Sequence, residues 1–411
     1  MTSFDAPVRA ERLLDSLTDE QRAVVESPSP RLRVLAAAGS GKTRVLAARV
    51  VHLIRFRGVA PTAIRVFVFT RAAAFELRSR VASVLGGEVA ESVDVTTFHG
   101  YAARLASAHL EVGEIATEEL SEAALRSLYE GPMRRLRGDV PGIEAVRAAL
   151  VDHEAGKSVE PKAMKAVRLV EARVEATGAA PLWTLLPRAS QLLEDHAVAA
   201  EEAVDCLLVD EAQDVTPRES ALVRRLADAA DADVLAVGDP RQAIMGFRGA
   251  EPAALDWIAG EALTLSRSFR FGATIAAEAN RLFPELPAVE GGGPEGSIVA
   301  AQDRQDFIET VHLALQRTRD AAVLCTTHEV CEEVARDLGA GFRYVGRHYA
   351  GDQFAEAKAQ GVVPVTTVHA AKGREFDVVA IPPERRREDD RAVRYVALTR
   401  AKTRLIVGEA S

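Results

Sequence analysis

Residues 31–43 read RLRVLAAAGSGKT: an alternating apolar run, a loop of small residues, then Lys42 and Thr43. The run has the two-residue period of a strand. A small-residue loop at a strand's carboxyl end, ahead of a helix, offers backbone N–H groups to phosphate oxygens. In that chemistry Gly39, Ser40 and Gly41 form the cradle, Lys42 reaches the β- and γ-phosphates, and the Thr43 hydroxyl holds Mg²⁺. Ala36 stands where the usual pattern has its first glycine, so alone the loop also fits a plain strand–helix turn. A second stretch, LVDEAQD at 208–214, argues against that reading, because the apolar strand 206–209 ends there in Asp210 and Glu211. The first carboxylate suits Mg²⁺, and the second suits a base that orients water. The two stretches together describe an ATP site.

Outward from the loop, the chain alternates β-branched strands with helix-forming stretches at 31–37, 63–70, 93–97, 204–209 and 233–237. That alternation is the signature of an α/β fold with parallel sheets and helical crossovers. A second strand series begins near residue 261 with ALTLSRSF and continues through GSIVAA, AAVLCTT, VVPVTTVHA, FDVVAI and RLIVGEA. Residues 102–200 differ. They are rich in Ala, Glu, Arg and Leu and broken by Gly131-Pro132, Pro141-Gly142 and Pro161, which reads as a mainly helical insertion in the first α/β domain. GGGPEG at 291–296 reads as a surface loop of the second.

At 411 residues, two to three domains are expected. With 48% hydrophobic and 27% charged residues, the composition is that of an ordinary globular chain. No run approaches the ~18 apolar residues needed to span a bilayer, so no membrane partner is expected. The N-terminal segment carries acids and lacks a signal-like apolar core. The three cysteines form no metal-ligand spacing and are too few for a disulfide framework, so a reducing cytoplasm is expected. A net charge of −9 argues against wholesale coating of nucleic acid but not against a local basic groove.

Seven more motifs accompany the two nucleotide stretches in a fixed order: LTDEQ (17–21), FVFTRAAAFELRSRV (67–81), VTTFHGYAARL (95–105), VGDPRQAIMGFRGA (237–250), SRSFR (266–270), VTTVHAAKGREFDVV (365–379) and YVALTRAK (395–402). The set resembles superfamily 1 DNA helicases of the UvrD/Rep/PcrA type over nearly the whole chain. The resemblance implies two RecA-like P-loop domains, the first from 1–101 and 201–260, the second from 261–411, with a helical insertion at 102–200. It also implies that a second helical subdomain, 2B in relatives, is absent or vestigial here, because only a short span separates Gly346 from Val362.

By the same resemblance Gln21 reads adenine, and Arg44 and Phe269 sandwich its ring, Phe269 standing where relatives usually have Tyr. Gln242 senses the γ-phosphate. Arg270 and Arg400 reach it from the second domain, where planar guanidinium groups meet the charge that spreads over phosphoryl oxygens. Glu375 accepts from the ribose hydroxyl. Phe247 and Phe69 are base-stacking aromatics, with Arg248 beside them, and His99 and His369 contact the nucleic-acid backbone. Arg71-Ala72 replaces an Asn-Lys pair, which removes one phosphate partner or moves its charge to Arg71. Lys162, Lys165, Arg168 and Arg173 form a charged stripe in the insertion, which a solvated face also explains.

The implied activity is ATP-dependent translocation on single-stranded DNA or a 3′-tailed duplex with 3′→5′ polarity, in repair, recombination, replication or phage defence. A nuclease or a repair or defence factor would be its protein partner. The alternative is an ATP-switched DNA-binding subunit that regulates a partner nuclease without unwinding DNA itself.

Overall fold

The computed structural model describes residues 6–110, 114–116, 142–176, 179–250, 255–316, 318, 320–346, 353–384 and 391–409. Helices α1 (Ala6–Asp15) and α2 (Asp19–Glu26) precede β1 (Arg31–Ala36), and α3 (Lys42–Arg55) follows the small-residue loop. Then come β2 (Ile64–Val68), α4 (Arg71–Leu85), α5 (Gly87–Ser92), β3 (Asp94–Thr97) and α6 (Phe98–His109). Strands β6 (Cys206–Val209), β7 (Asp233–Gly238) and β8 (Glu261–Leu265) complete a six-stranded sheet of order β3-β2-β6-β7-β1-β8. The pairs β2–β3, β2–β6 and β6–β7 are parallel. Every residue of β2 and β6 is buried, as a parallel sheet covered on both faces requires.

Charged Arg65 is buried in β2 because its guanidinium meets Asp94 at 2.6 Å and Glu202 at 3.0 Å, and lies 4.6 Å from the Tyr101 ring centroid. This cluster ties β2, β3 and α6 to the chain that enters β6.

The insertion is helical over Ile143–Ala155, Pro161–Glu175, Leu182–Leu192 and His196–Glu201, with a small parallel pair of β4 (Glu114–Ala116) and β5 (Ala179–Pro181). Pro161 opens its helix, where the Glu160 side chain accepts from the Lys162 and Ala163 N–H groups. The turn expected at Gly131-Pro132 lies outside the described residues.

The second sheet contains β11 (Ser297–Ala301), β12 (Ala321–Cys325), β13 (Phe342–Tyr344), β14 (Val363–Thr367), β15 (Phe376–Ile381) and β16 (Ala401–Gly408). Its order is β11-β16-β15-β12-β14-β13, parallel throughout. Two short strands, β9 (Arg267–Ser268) and β10 (Glu290–Gly291), pair separately. The mixed α/β class with parallel sheets, expected for two RecA-like domains, is the one observed.

The chain forms two compact units, one of residues 1–34, 42–240 and 245–263, the other of residues 35–41, 241–244 and 264–411. Strand β8, which the strand series groups with the second half, pairs into the first sheet instead. Its pattern EALTL suits an edge strand of either sheet, so only long-range pairing assigns it. Among the described residues no helix is long and apolar enough to cross a membrane, and the three cysteines are free and buried.

Candidate functional site

In the first unit, Lys42, Thr43 and Arg44 occupy the first turn of α3. Asp210 follows β6 and is buried. Burial pushes its carboxyl up to about 7, and the neighbouring Glu211 charge adds to this, while Lys42 and the Glu211 N–H oppose it. Burial is the main cause, so the ionised form calls for a positive charge close by. A divalent cation would supply that charge. Asp210 and the Thr43 hydroxyl are the oxygen donors Mg²⁺ prefers, and Mg²⁺ characteristically completes its shell with phosphate and water rather than with a protein cage. Among the described residues there is no group of three or more His, Cys, Asp or Glu side chains able to hold a metal.

Glu211 sits at φ 45°, ψ 42°, the left-handed region that non-glycine residues seldom adopt. Such strain persists only where neighbours enforce it. At the backbone, the Glu211 N–H donates to Asp210 Oδ1 at 2.9 Å and the Glu211 carbonyl accepts the Asp214 N–H at 2.9 Å, while the side chain meets that of Gln213. The fully buried Gln213 amide donates to Glu211 Oε2 at 2.8 Å and to Asp214 Oδ2 at 3.1 Å, and its carbonyl accepts the Asp239 N–H at 2.9 Å. The sequence reading passed over Gln213, although its place between two acids in DEAQD was a usable signal.

Gln21 is the N3 residue of a capping box on α2. Thr18 Oγ1 accepts its N–H, and its own Oε1 accepts the Thr18 N–H at 3.2 Å. Arg44 donates to the Ser16 carbonyl at 2.9 Å and to the Ser16 hydroxyl at 2.6 Å.

The second unit contains the loop 35–41, the segment 241–244 and the residues of the last three motifs. Gly39 has φ +78°, its carbonyl accepts the Phe269 N–H at 2.8 Å, and a Cβ there would lie 2.7 Å from Arg270 Cβ. No other residue fits. Phe269 is 43% exposed, as a ring available for stacking must be. Arg270 donates through Nε to Glu375 at 2.8 Å and through Nη1 to the Thr399 carbonyl at 2.8 Å. Lys402 stands 3.8 Å from the same Glu375 carboxylate. Arg400 is buried, with Nη2 on Gln242 Oε1 at 3.0 Å, Nη1 on the Arg374 carbonyl at 3.2 Å and Nε on the Val396 carbonyl at 3.1 Å. The 241–244 segment is held further by Lys372, which donates to the Gln242 carbonyl at 2.8 Å, and by His369 Nε2 at 3.2 Å from the Ile244 carbonyl. The structure therefore brings Gln242 and Arg400 together, and gives His369 a structural partner that the sequence did not foretell. Lys372 and Thr399 were not singled out, although both lie inside quoted motifs.

The residues assigned to nucleic acid in the first unit lie after β2 and β3 and on the 3₁₀ turn Gly246–Arg248. Phe247 is 63% exposed, and the Arg248 guanidinium lies 4.7 Å from the Phe69 ring centroid. Gly249, at φ +87°, ends that turn where a Cβ would meet Ala155 Cβ at 2.3 Å, so a glycine lets the turn pack on the insertion helix Ile143–Ala155. His99 Nε2 pairs with Glu154 of the same helix. Lys162, Lys165 and Arg168 are exposed on the helix face opposite Ala163, Ala166, Val167 and Val170, which form a buried cluster.

A phosphate-loop lysine, a strand-end Asp-Glu pair whose Asp210 is buried, and two parallel sheets define a P-loop α/β protein of RecA-like architecture. The chain belongs to the UvrD/REP helicase family: residues 17–260 match the UvrD/REP helicase N-terminal domain, and residues 363–407 match the UvrD-like helicase C-terminal domain. It is 32% identical over 294 residues to DNA helicase II of Escherichia coli K12, covering 66% of this chain and 40% of that protein. It is 28% identical over 359 residues to ATP-dependent DNA helicase UvrD2 of Mycobacterium tuberculosis H37Rv, covering 80% and 49%. Against ATP-dependent DNA helicase PcrA of Leuconostoc citreum it is 26% identical over 371 residues, again covering 80% and 49%. The chain thus spans less than half the length of these relatives.

Proposed function

We propose that this chain is an ATP-driven motor that moves 3′→5′ on single-stranded DNA, with Mg²⁺ as the metal partner of the nucleotide. Lys42, Thr43 and the 36–41 loop take the phosphates, and Gln21, Arg44, Phe269 and Glu375 take the adenosine. Asp210 serves the cation, and Glu211 orients the attacking water. Arg270 and Arg400 meet the charge that develops on the transferred phosphoryl group. The observation that carries the reading is the segment 237–250. Gln242 is hydrogen-bonded to Arg400 at one end, and five positions later Phe247 presents an exposed ring. A phosphate-sensing residue and a base-stacking residue on so short a segment give nucleotide state a direct means of changing grip on the strand.

The domain division into 1–101 with 201–260, 102–200 and 261–411 belongs to this proposal, with β8 (Glu261–Leu265) going to the first sheet. So does a reducing, cytoplasmic setting in DNA repair, recombination, replication or defence. So too does a 2B element that is absent or vestigial in the short span from Gly346 to Val362, which leaves little surface for gripping duplex. Strand separation would then call for a protein partner or self-association.

The test is ATP turnover with and without single-stranded DNA, followed by strand displacement on 3′-tailed and 5′-tailed duplexes. Strong stimulation and displacement only from the 3′ tail support the proposal. Turnover indifferent to DNA refutes the motor, and binding with no movement favours an ATP-switched regulator of a partner nuclease.

A further inference from the structure

Scattered exposed apolar side chains are normal on soluble proteins, so a lone exposed ring means little. Phe75 is not lone. Among the described residues it is the most exposed of the large hydrophobics, at 75%, and it lies in the first turns of α4, where Ala74, Leu77 and Val81 form the buried face. Arg71 is exposed one helical turn earlier, about 6 Å along the axis. Among the described residues Arg71 has no ion-pair partner, whereas Arg80 is held by Glu76 at 2.8 Å. Helical side chains lean toward the helix N-terminus, so the Phe75 ring leans over the Arg71 turn. Ala72 and Ala73 leave that turn uncrowded. Two residues before Arg71 stands Phe69, whose ring carries the Arg248 guanidinium, and beside Arg248 is exposed Phe247. Phe247, Arg248, Phe69, Arg71 and Phe75 thus run as an alternating series of aromatic and cationic groups, each linked to the next by the chain or by a direct contact.

We infer that Phe75 is a further base-stacking platform, extending the single-stranded nucleic-acid path past Phe69 along the start of α4, with Arg71 as its phosphate partner. The inference rests on the proposed strand-binding activity and adds a residue to it. The occupant is a single strand because only that ligand presents flat apolar faces and phosphates in alternation, matching rings and guanidinium groups in alternation. A protein partner would match the ring but has no reason to match the repeat.

The test measures binding of oligothymidylate, and of the same strand with abasic positions, to the parent chain, Phe75→Ala and Phe75→Tyr. Thermal unfolding confirms that the variants fold, as substitution of so exposed a side chain should allow. Phe75→Ala should weaken oligothymidylate binding on the order of 5- to 100-fold, Phe75→Tyr should bind within about twofold of the parent, and the parent's preference for bases over abasic positions should shrink in Phe75→Ala. Unchanged binding by Phe75→Ala overturns the inference and leaves the motor reading standing. An equal loss on the abasic strand also overturns it, since phosphate contact alone would then be involved. So does unchanged DNA binding with altered self-association, which would make Phe75 a protein interface. Failure of the parent chain to bind either strand removes the motor reading and this inference with it.

Discussion

Arg400→Ala tests whether a buried arginine carries both architecture and chemistry. The guanidinium donates to Val396 O, Arg374 O and Gln242 Oε1 at 3.1, 3.2 and 3.0 Å. The Val396 carbonyl also accepts the Thr399 hydroxyl at 3.2 Å, so truncation chiefly removes the bonds to Arg374 O and Gln242 Oε1. Hydrogen bonds to a charged group contribute about 1.5–3 kcal/mol each. Two give roughly 3–6 kcal/mol, from which the burial cost of the guanidinium itself must be subtracted. A net loss of about 2–4 kcal/mol is expected, lowering the unfolding midpoint by about 4–16 °C for units of this size. Circular dichroism during thermal and urea unfolding measures the loss. Turnover, assayed well below the variant's midpoint, should fall on the order of 10³-fold if the guanidinium also meets the phosphoryl charge. Arg400→Lys keeps the charge without the planar fork, so it should recover part of the stability and little of the turnover. An Arg400→Ala protein that melts within about 1 °C of the parent would refute the structural half of this reasoning, and one with undiminished turnover the chemical half.

Lys42→Ala should abolish ATP turnover, whereas Glu211→Gln should keep ATP affinity within a few fold and lose turnover by roughly 10²-fold; normal steady-state turnover in Glu211→Gln would remove that residue as the base. Phe247→Ala should raise the single-stranded DNA concentration needed for half-maximal stimulation, by a factor equivalent to about 1–3 kcal/mol of stacking, and an unchanged titration curve argues against base contact. Burial opposes ionisation of Asp94, but hydrogen bonds from Arg104 and Arg65 outweigh it and hold the carboxyl below its ordinary value. Its contribution to stability is therefore complete above the unfolded-chain value of about 4 and is lost as pH falls through the lower native value. Asp94→Asn should destabilise the chain at pH 7 and flatten its acid limb below about pH 4; an acid limb as steep as the parent's shows that other carboxylates set it.

Local sequence determined the elements and most of the candidate chemistry. The phosphate loop, the strand ending in Asp210 and Glu211, and the two strand series follow from short-range rules: side-chain period, small residues where backbone must be approachable, and β-branched runs where both faces are buried. Those rules act over a few residues, so the chain spells them out.

Which partners each group meets depended on the tertiary structure. Gln21 caps its own helix, His369 turns to a carbonyl 125 positions away, and Arg400 is buried on Gln242 rather than solvated. Strand β8 joins the first sheet, and Gln213 proves to link the Glu211 and Asp214 carboxylates to the Asp239 N–H. Exposure was equally illegible in advance: Phe67 and Phe75 lie eight positions apart, one fully buried and the other three-quarters exposed. A polar or aromatic side chain can satisfy itself with many partners of similar energy. Chain distance does not select among them; the packing of the sheets and helices does, by bringing particular groups within reach.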